Sequence, residues 1–120
     1  MAVIRSEVLK KHKGLKELPN SEQKIIADQV HHIFDTNNAL ETAYKIAVAQ
    51  APEPKQFIEQ PDGRRLLRTK IKWPTGIRDE TETALAHVEK LKTHEHPAVV
   101  KFAEKEEIYL KKIHETYFHP

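Results

Sequence analysis

The chain has 120 residues, of which 38% are hydrophobic and 32% charged, and a formal net charge of +2. Its length fits one domain, and its apolar content supports a modest core, which excludes disorder throughout. Cysteine is absent, so disulfides, thiolate metal sites and cysteine nucleophiles are excluded.

The first residues, MAVIRSEVLKKHKG, bring in charge too early, and an apolar core too short, for a secretory signal. No apolar run approaches the ~20 residues of a membrane span. The expected location is the cytoplasm, with the virion or an infected host cell left open. Residues 2–13 read as a short amphipathic helix, with Val3, Ile4, Val8 and Leu9 on one side and Gly14 as its end. Asn20 then reads as an N-cap, with Gln23 three residues on closing a capping box. Ile25, Ile26, Val30, Ile33 and Phe34 follow at helical spacing, so the pattern predicts a helix over 21–34. Asp35-Thr36-Asn37-Asn38 reads as a stop and restart, with Asn38 capping again and Glu41 in the box position. Leu40, Ala43, Tyr44, Ala47 and Val48 form the next stripe, which Pro52 and Pro54 end.

The period then changes. Gln56 to Gln60 and Leu66 to Trp73 are short β-prone runs around Pro61-Asp62-Gly63, whose Asp-Gly step is a hairpin signal. In the second run Leu67, Thr69, Ile71 and Trp73 share one face, and Arg68, Lys70 and Lys72 the other. Asp79 is the next expected cap, with Glu82 as its box partner and a helix over 80–93. Pro97 suits the first position of a last helix over 97–117, in which Glu106 interrupts the apolar stripe. The expected fold is therefore α+β, mainly α. It is a single domain over 1–120 with a helical half (1–50), a basic β-hairpin (about 56–73) and a helical pair (79–117) that ends in the long helix.

The charge is unevenly spread. Residues 64–78 carry six basic side chains and no acidic one, whereas 25–63 and 79–120 are net acidic. Alternate residues on a strand lie ~6.8 Å apart, so Arg68, Lys70 and Lys72 would form a cationic row, with Arg64, Arg65 and Arg78 near it. Such a row can track phosphates, and Trp73 could stack on a base. The plainer reading is a solvated face with lysines guarding a strand edge and Trp73 in the core. The same band also suits self-association against an acidic helix.

Eight histidines are present. His87, His94 and His96 are the nearest approach to a metal set, but a tetrahedral site needs three or four converging ligands. No HExxH, Gly-x-Ser-x-Gly or phosphate-binding glycine loop occurs. The expectation is a protein with no catalytic residues, no cofactor and no resident metal. The last helix is long for so small a domain, which suggests packing on another copy. Leu110, Ile113 and Tyr117 are the candidate oligomer face, with Phe102 as a further anchor; the alternative is that all four belong to the chain's own core.

Leu18-Pro19, Gln23, Ile25, Val30 and Ile33-Phe34, followed by Glu41-Thr42-Ala43-Tyr44-Lys45-Ile46-Ala47-Val48-Ala49, resemble a ChaB-type domain over about residues 15–50. That family is a small, mainly helical module of bacteria, some phages and large DNA viruses, labelled a putative cation-transport regulator. Val48 stands where the family usually has Trp, and His31-His32 replaces a common Phe-Asn. The resemblance implies a non-enzymatic accessory module and says nothing of residues 51–120. The expected function is thus an interaction or assembly protein acting through oligomer or partner contacts. The alternatives are polyanion or nucleic-acid binding through the basic hairpin, and a metal-dependent role of the clustered histidines.

Overall fold

A 31-residue helix, Asn20–Gln50, is the spine of the computed structural model, which describes residues 3–59, 65–68 and 70–118. At ~1.5 Å per residue it is about 46 Å long, nearly the whole 51 Å length of the molecule. In chain order the elements are α1 (Ser6–Lys11), a 3-10 turn (Lys13–Glu17), α2 (Asn20–Gln50), β1 (Phe57–Glu59), β2 (Arg65–Leu67), α3 (Ile77–Leu91), α4 (Pro97–Ile113) and a π-helical turn (His114–Phe118). The expected mainly helical fold with one hairpin and a long C-terminal helix is what forms. No helix among the described residues is long and apolar enough to cross a membrane.

The expected break at 35–38 does not occur: Asp35 bonds to Arg5, Asn37 bonds to α4, and the helix runs through. Thr36 and Asn37 are buried, and Asn37 Nδ2 donates to the Glu106 backbone carbonyl at 2.9 Å and to Glu106 Oε1 at 3.0 Å. The side-chain bonds of Asn37 thus reach across to α4, and Asn38, the expected cap, lies exposed within the uninterrupted helix. The Asn20 cap is also corrected. Pro19 occupies the cap position with no side-chain bond. Gln23 instead donates to the Leu18 carbonyl and accepts from the Ile4 amide, which ties the N-terminal segment to α2. Asp79 lies inside α3 rather than capping it. Gly76, at φ +79, precedes the helix, and Asp79 and Glu80 lie in its first turn, where negative charge meets the positive end of the helix dipole. The first helix is shorter than expected, and Gly14 falls within the 3-10 turn.

The core gathers Val8 and Leu15 from the N-terminal segment, Val30, Ile33 and Leu40 from α2, Val88 from α3, and Val99, Phe102, Leu110 and Ile113 from α4. Phe102, Leu110 and Ile113 are essentially inaccessible. The expected oligomer face is therefore corrected: its apolar side chains fill the chain's own interior, and Tyr117 is half-buried and bonded within the chain.

The hairpin is short. Its antiparallel register pairs Phe57 with Leu67, Ile58 with Leu66 and Glu59 with Arg65, and Arg68 N donates to the Gln56 carbonyl at 2.9 Å. The expected Pro61-Asp62-Gly63 turn, Arg64 and Thr69 lie outside the described residues. Two tyrosine hydroxyls serve the Leu67 backbone: Leu67 N donates to Tyr44 Oη at 2.9 Å, and Tyr117 Oη donates to the Leu67 carbonyl at 2.6 Å. They take the place of a further strand and remove the donor and acceptor that an exposed edge would offer to another chain. Burial raises the pKa of Tyr117, so it remains a neutral donor. Tyr44→Phe leaves the Leu67 amide without its acceptor and should cost about 1–2 kcal/mol, read from urea unfolding.

Candidate partner-binding groove

After Arg68 the chain leaves β2 but keeps its alternation. Arg68, Lys70 and Lys72 are exposed, Ile71 is buried and Trp73 is half-buried. The expected partition of this segment into a cationic side and an apolar side therefore holds, although pairing ends at Arg68. Trp73 meets Tyr117 and Phe118 edge-on, with ring centroids 5.4 and 5.3 Å away. These contacts fix the indole against the π-helical turn and leave it unavailable as a free stacking platform.

A groove of about 880 Å³ lies between the second half of α2 and residues 70–74. Ala39, Ala43, Ile46 and Ala47 supply its α2 wall, Trp73 and Pro74 the opposite one, and Lys70 and Lys72 line it as well. None of its lining residues is acidic. Small side chains on α2 make room for the groove, and Ile46, 51% exposed, presents apolar surface to solvent inside it. From Asn38 to Gln50 the groove follows about 18 Å of helix, or three turns.

Lys70 and Lys72 belong to a wider cationic surface. Arg65, Arg68 and Arg78 are also exposed, and among the described residues none of these five side chains has a carboxylate within ion-pair distance. Other lysines do find such partners: Lys45 is 2.7 Å from Glu41 and Lys92 is 3.0 Å from Glu107. Sequence reasoning found the charges and Trp73 but missed the α2 wall: Ala43 and Ala47 read as part of an apolar stripe, Ile46 only within the ChaB-like run, and Ala39 not at all. Ile46, an apolar residue off that stripe, was the available signal.

The histidines take up structural tasks. His96 Nδ1 accepts from Ala98 N at 3.1 Å and so caps α4, and His94 Nδ1 accepts from His96 N at 3.0 Å. His87 lies edge-on to His32, with centroids 5.2 Å apart, and burial lowers its pKa, helped by His32 and Lys90. Among the described residues no three His, Asp or Glu side chains are grouped to hold a metal ion, so the set of His87, His94 and His96 is not brought together.

A buried carboxylate is the feature least visible in the sequence. Glu106 is 3% exposed and accepts from Lys11 Nζ, Asn37 Nδ2 and His12 Nε2, each at 3.0 Å. Burial acts to raise its pKa. The hydrogen bonds from His12, Asn37 and Lys11, together with the Lys11 charge, outweigh that and hold it below the ordinary carboxylate value. The network joins α1, α2 and α4 through groups far apart in sequence.

No family model, curated protein or solved structure matches the chain. The residues that resemble a ChaB-type domain, about 15–50, form the 3-10 turn and the single uninterrupted helix α2.

Proposed function

We propose that this protein is a non-enzymatic interaction module that receives an acidic, amphipathic helical segment of a partner protein in the groove between α2 and residues 70–74. The observation that carries this reading is the groove itself: an apolar trough three turns long, lined by Lys70 and Lys72, with no acid in its lining and no carboxylate at ion-pair distance from either lysine among the described residues. A helix laid in such a trough buries its apolar residues at i, i+4 and i+7 and turns its flanking carboxylates toward Lys70 and Lys72. The tyrosine-blocked edge of β2 argues against an added strand as the mode of binding. The accessory role implied by the ChaB-type resemblance agrees with this reading.

Calorimetric titration of the full chain with a synthetic helix of that pattern tests the proposal. Lys70→Glu with Lys72→Glu should weaken binding roughly tenfold or more, since like charges then face each other, and binding should weaken as salt rises. Equal affinity in the double variant would sink the reading. Sedimentation at two salt concentrations reads the other occupant, a second copy of this chain.

A nucleic-acid reading is favoured by one observation, the five exposed cations that have no carboxylate partner among the described residues. It predicts a steep loss of affinity with salt and a gel shift with DNA that Arg68→Ala together with Lys70→Ala reduces. Absence of any shift at low salt removes it.

A further inference from the structure

A second concavity shares no lining residue with the groove. It holds about 450 Å³ between the 3-10 turn and the first turns of α4. We propose that this cavity binds a small, multiply charged oxyanion of the phosphate class through Lys13, Lys101 and Lys105. The proposal does not rest on the groove.

Four lysines line the cavity, Lys11 and Lys13 from the N-terminal segment and Lys101 and Lys105 from α4, against a single acid, Glu17. Lys101 and Lys105 stand one helical turn apart, where like charges repel. Among the described residues neither of them, nor Lys13, has a carboxylate at ion-pair distance. Glu106 could have supplied counter-charge from below, but its oxygens already accept from Lys11, His12 and Asn37. Lys11 is thus neutralised, and the other three cations face a shared space with their repulsion unrelieved. An oxyanion placed between them removes that repulsion and gains a charge-assisted hydrogen bond from each ammonium.

The site has a fixed frame. His12 and Phe102 form its buried floor and meet edge-on with centroids 4.7 Å apart. A Cβ on Gly14 would stand 3.1 Å from Ala98 Cβ, so the 3-10 turn lies directly on α4 and the two lysine-bearing rims keep their spacing. The volume falls in the range of small-ligand sites, and lysines surround a hollow here instead of forming a row. A compact anion such as a diphosphate suits that arrangement better than an extended polymer does.

The test titrates the ¹⁵N-labelled full chain with inorganic pyrophosphate, holding ionic strength constant with sodium chloride. The proposal expects saturable amide shifts confined to residues 11–17 and 97–105. Lys101→Gln with Lys105→Gln should weaken binding roughly tenfold or more, and Lys70→Gln with Lys72→Gln should leave it unchanged. All four of these lysines are exposed, so the variants keep the fold, which their melting curves verify. Shifts that fail to saturate at millimolar pyrophosphate, shifts spread over lysines throughout the chain, or wild-type affinity in the Lys101/Lys105 variant would each overturn the assignment.

Discussion

Glu106→Ala should destabilise the protein by about 3 kcal/mol, the scale for breaking a buried ionic cluster from one side, and lower its melting temperature by roughly 10 °C. The carboxylate holds three donors from two other helices and their junction. Its loss leaves His12 Nε2 without an acceptor in the interior and frees the amide of Asn37 to compete with the α2 backbone at the place where the sequence expected a break. The effect depends on pH in a definite direction. The pKa of Glu106 is depressed in the fold, so its stabilisation is complete above the unfolded value of about 4.5 and is lost as pH falls through the lower folded value. The difference in melting temperature between wild type and variant should therefore be full at pH 7 and shrink in strong acid. A difference that instead grows on acidification would contradict the ionised cluster.

Phe102→Ala should cost about 3–5 kcal/mol, the range for removing a large aromatic side chain from a packed core. The ring is 1% exposed and packs against the edge of His12. Truncation opens a cavity beside the Glu106 cluster, so the two substitutions should not add independently. The same variant separates the two readings of the α4 stripe. A side chain at an oligomer interface would change sedimentation at nearly constant monomer stability. One in the chain's own core changes the unfolding midpoint, and the latter is expected.

Periodicity and punctuation made most of the fold legible. Pro97 does open α4, the 56–73 region does hold a hairpin, and Arg68, Lys70 and Lys72 do face solvent opposite Ile71. Each of these follows from local rules: a fixed φ at proline, or alternation along an extended chain. The misreadings fall at helix ends. Asn20, Asn38 and Asp79 all have the chemistry of caps, and nothing local reveals that α2 runs through Asn38 or that Gln23 and Asn37 are bonded to Leu18, Ile4 and Glu106. Glu106 shows the same limit from the other side. Its place in the apolar stripe of α4 was legible, but the partners that let a carboxylate stay there, Lys11, His12 and Asn37, were not. The groove was half legible. Its cations stood out as a run, while its apolar wall required knowing that α2 continues through 35–38 and brings Ala39, Ala43 and Ile46 opposite Trp73.

Trp73 offers the most direct reading of the groove, because it is the only tryptophan in the chain and forms part of the wall. Its fluorescence, followed while the acidic amphipathic helix is added, should change saturably and shift as the indole loses contact with water. Ile46→Glu, on the facing wall and already solvent-exposed, should abolish that change while leaving the melting temperature close to wild type. Fluorescence that stays flat up to millimolar peptide, or a response that Ile46→Glu does not alter, would contradict a partner seated in this groove.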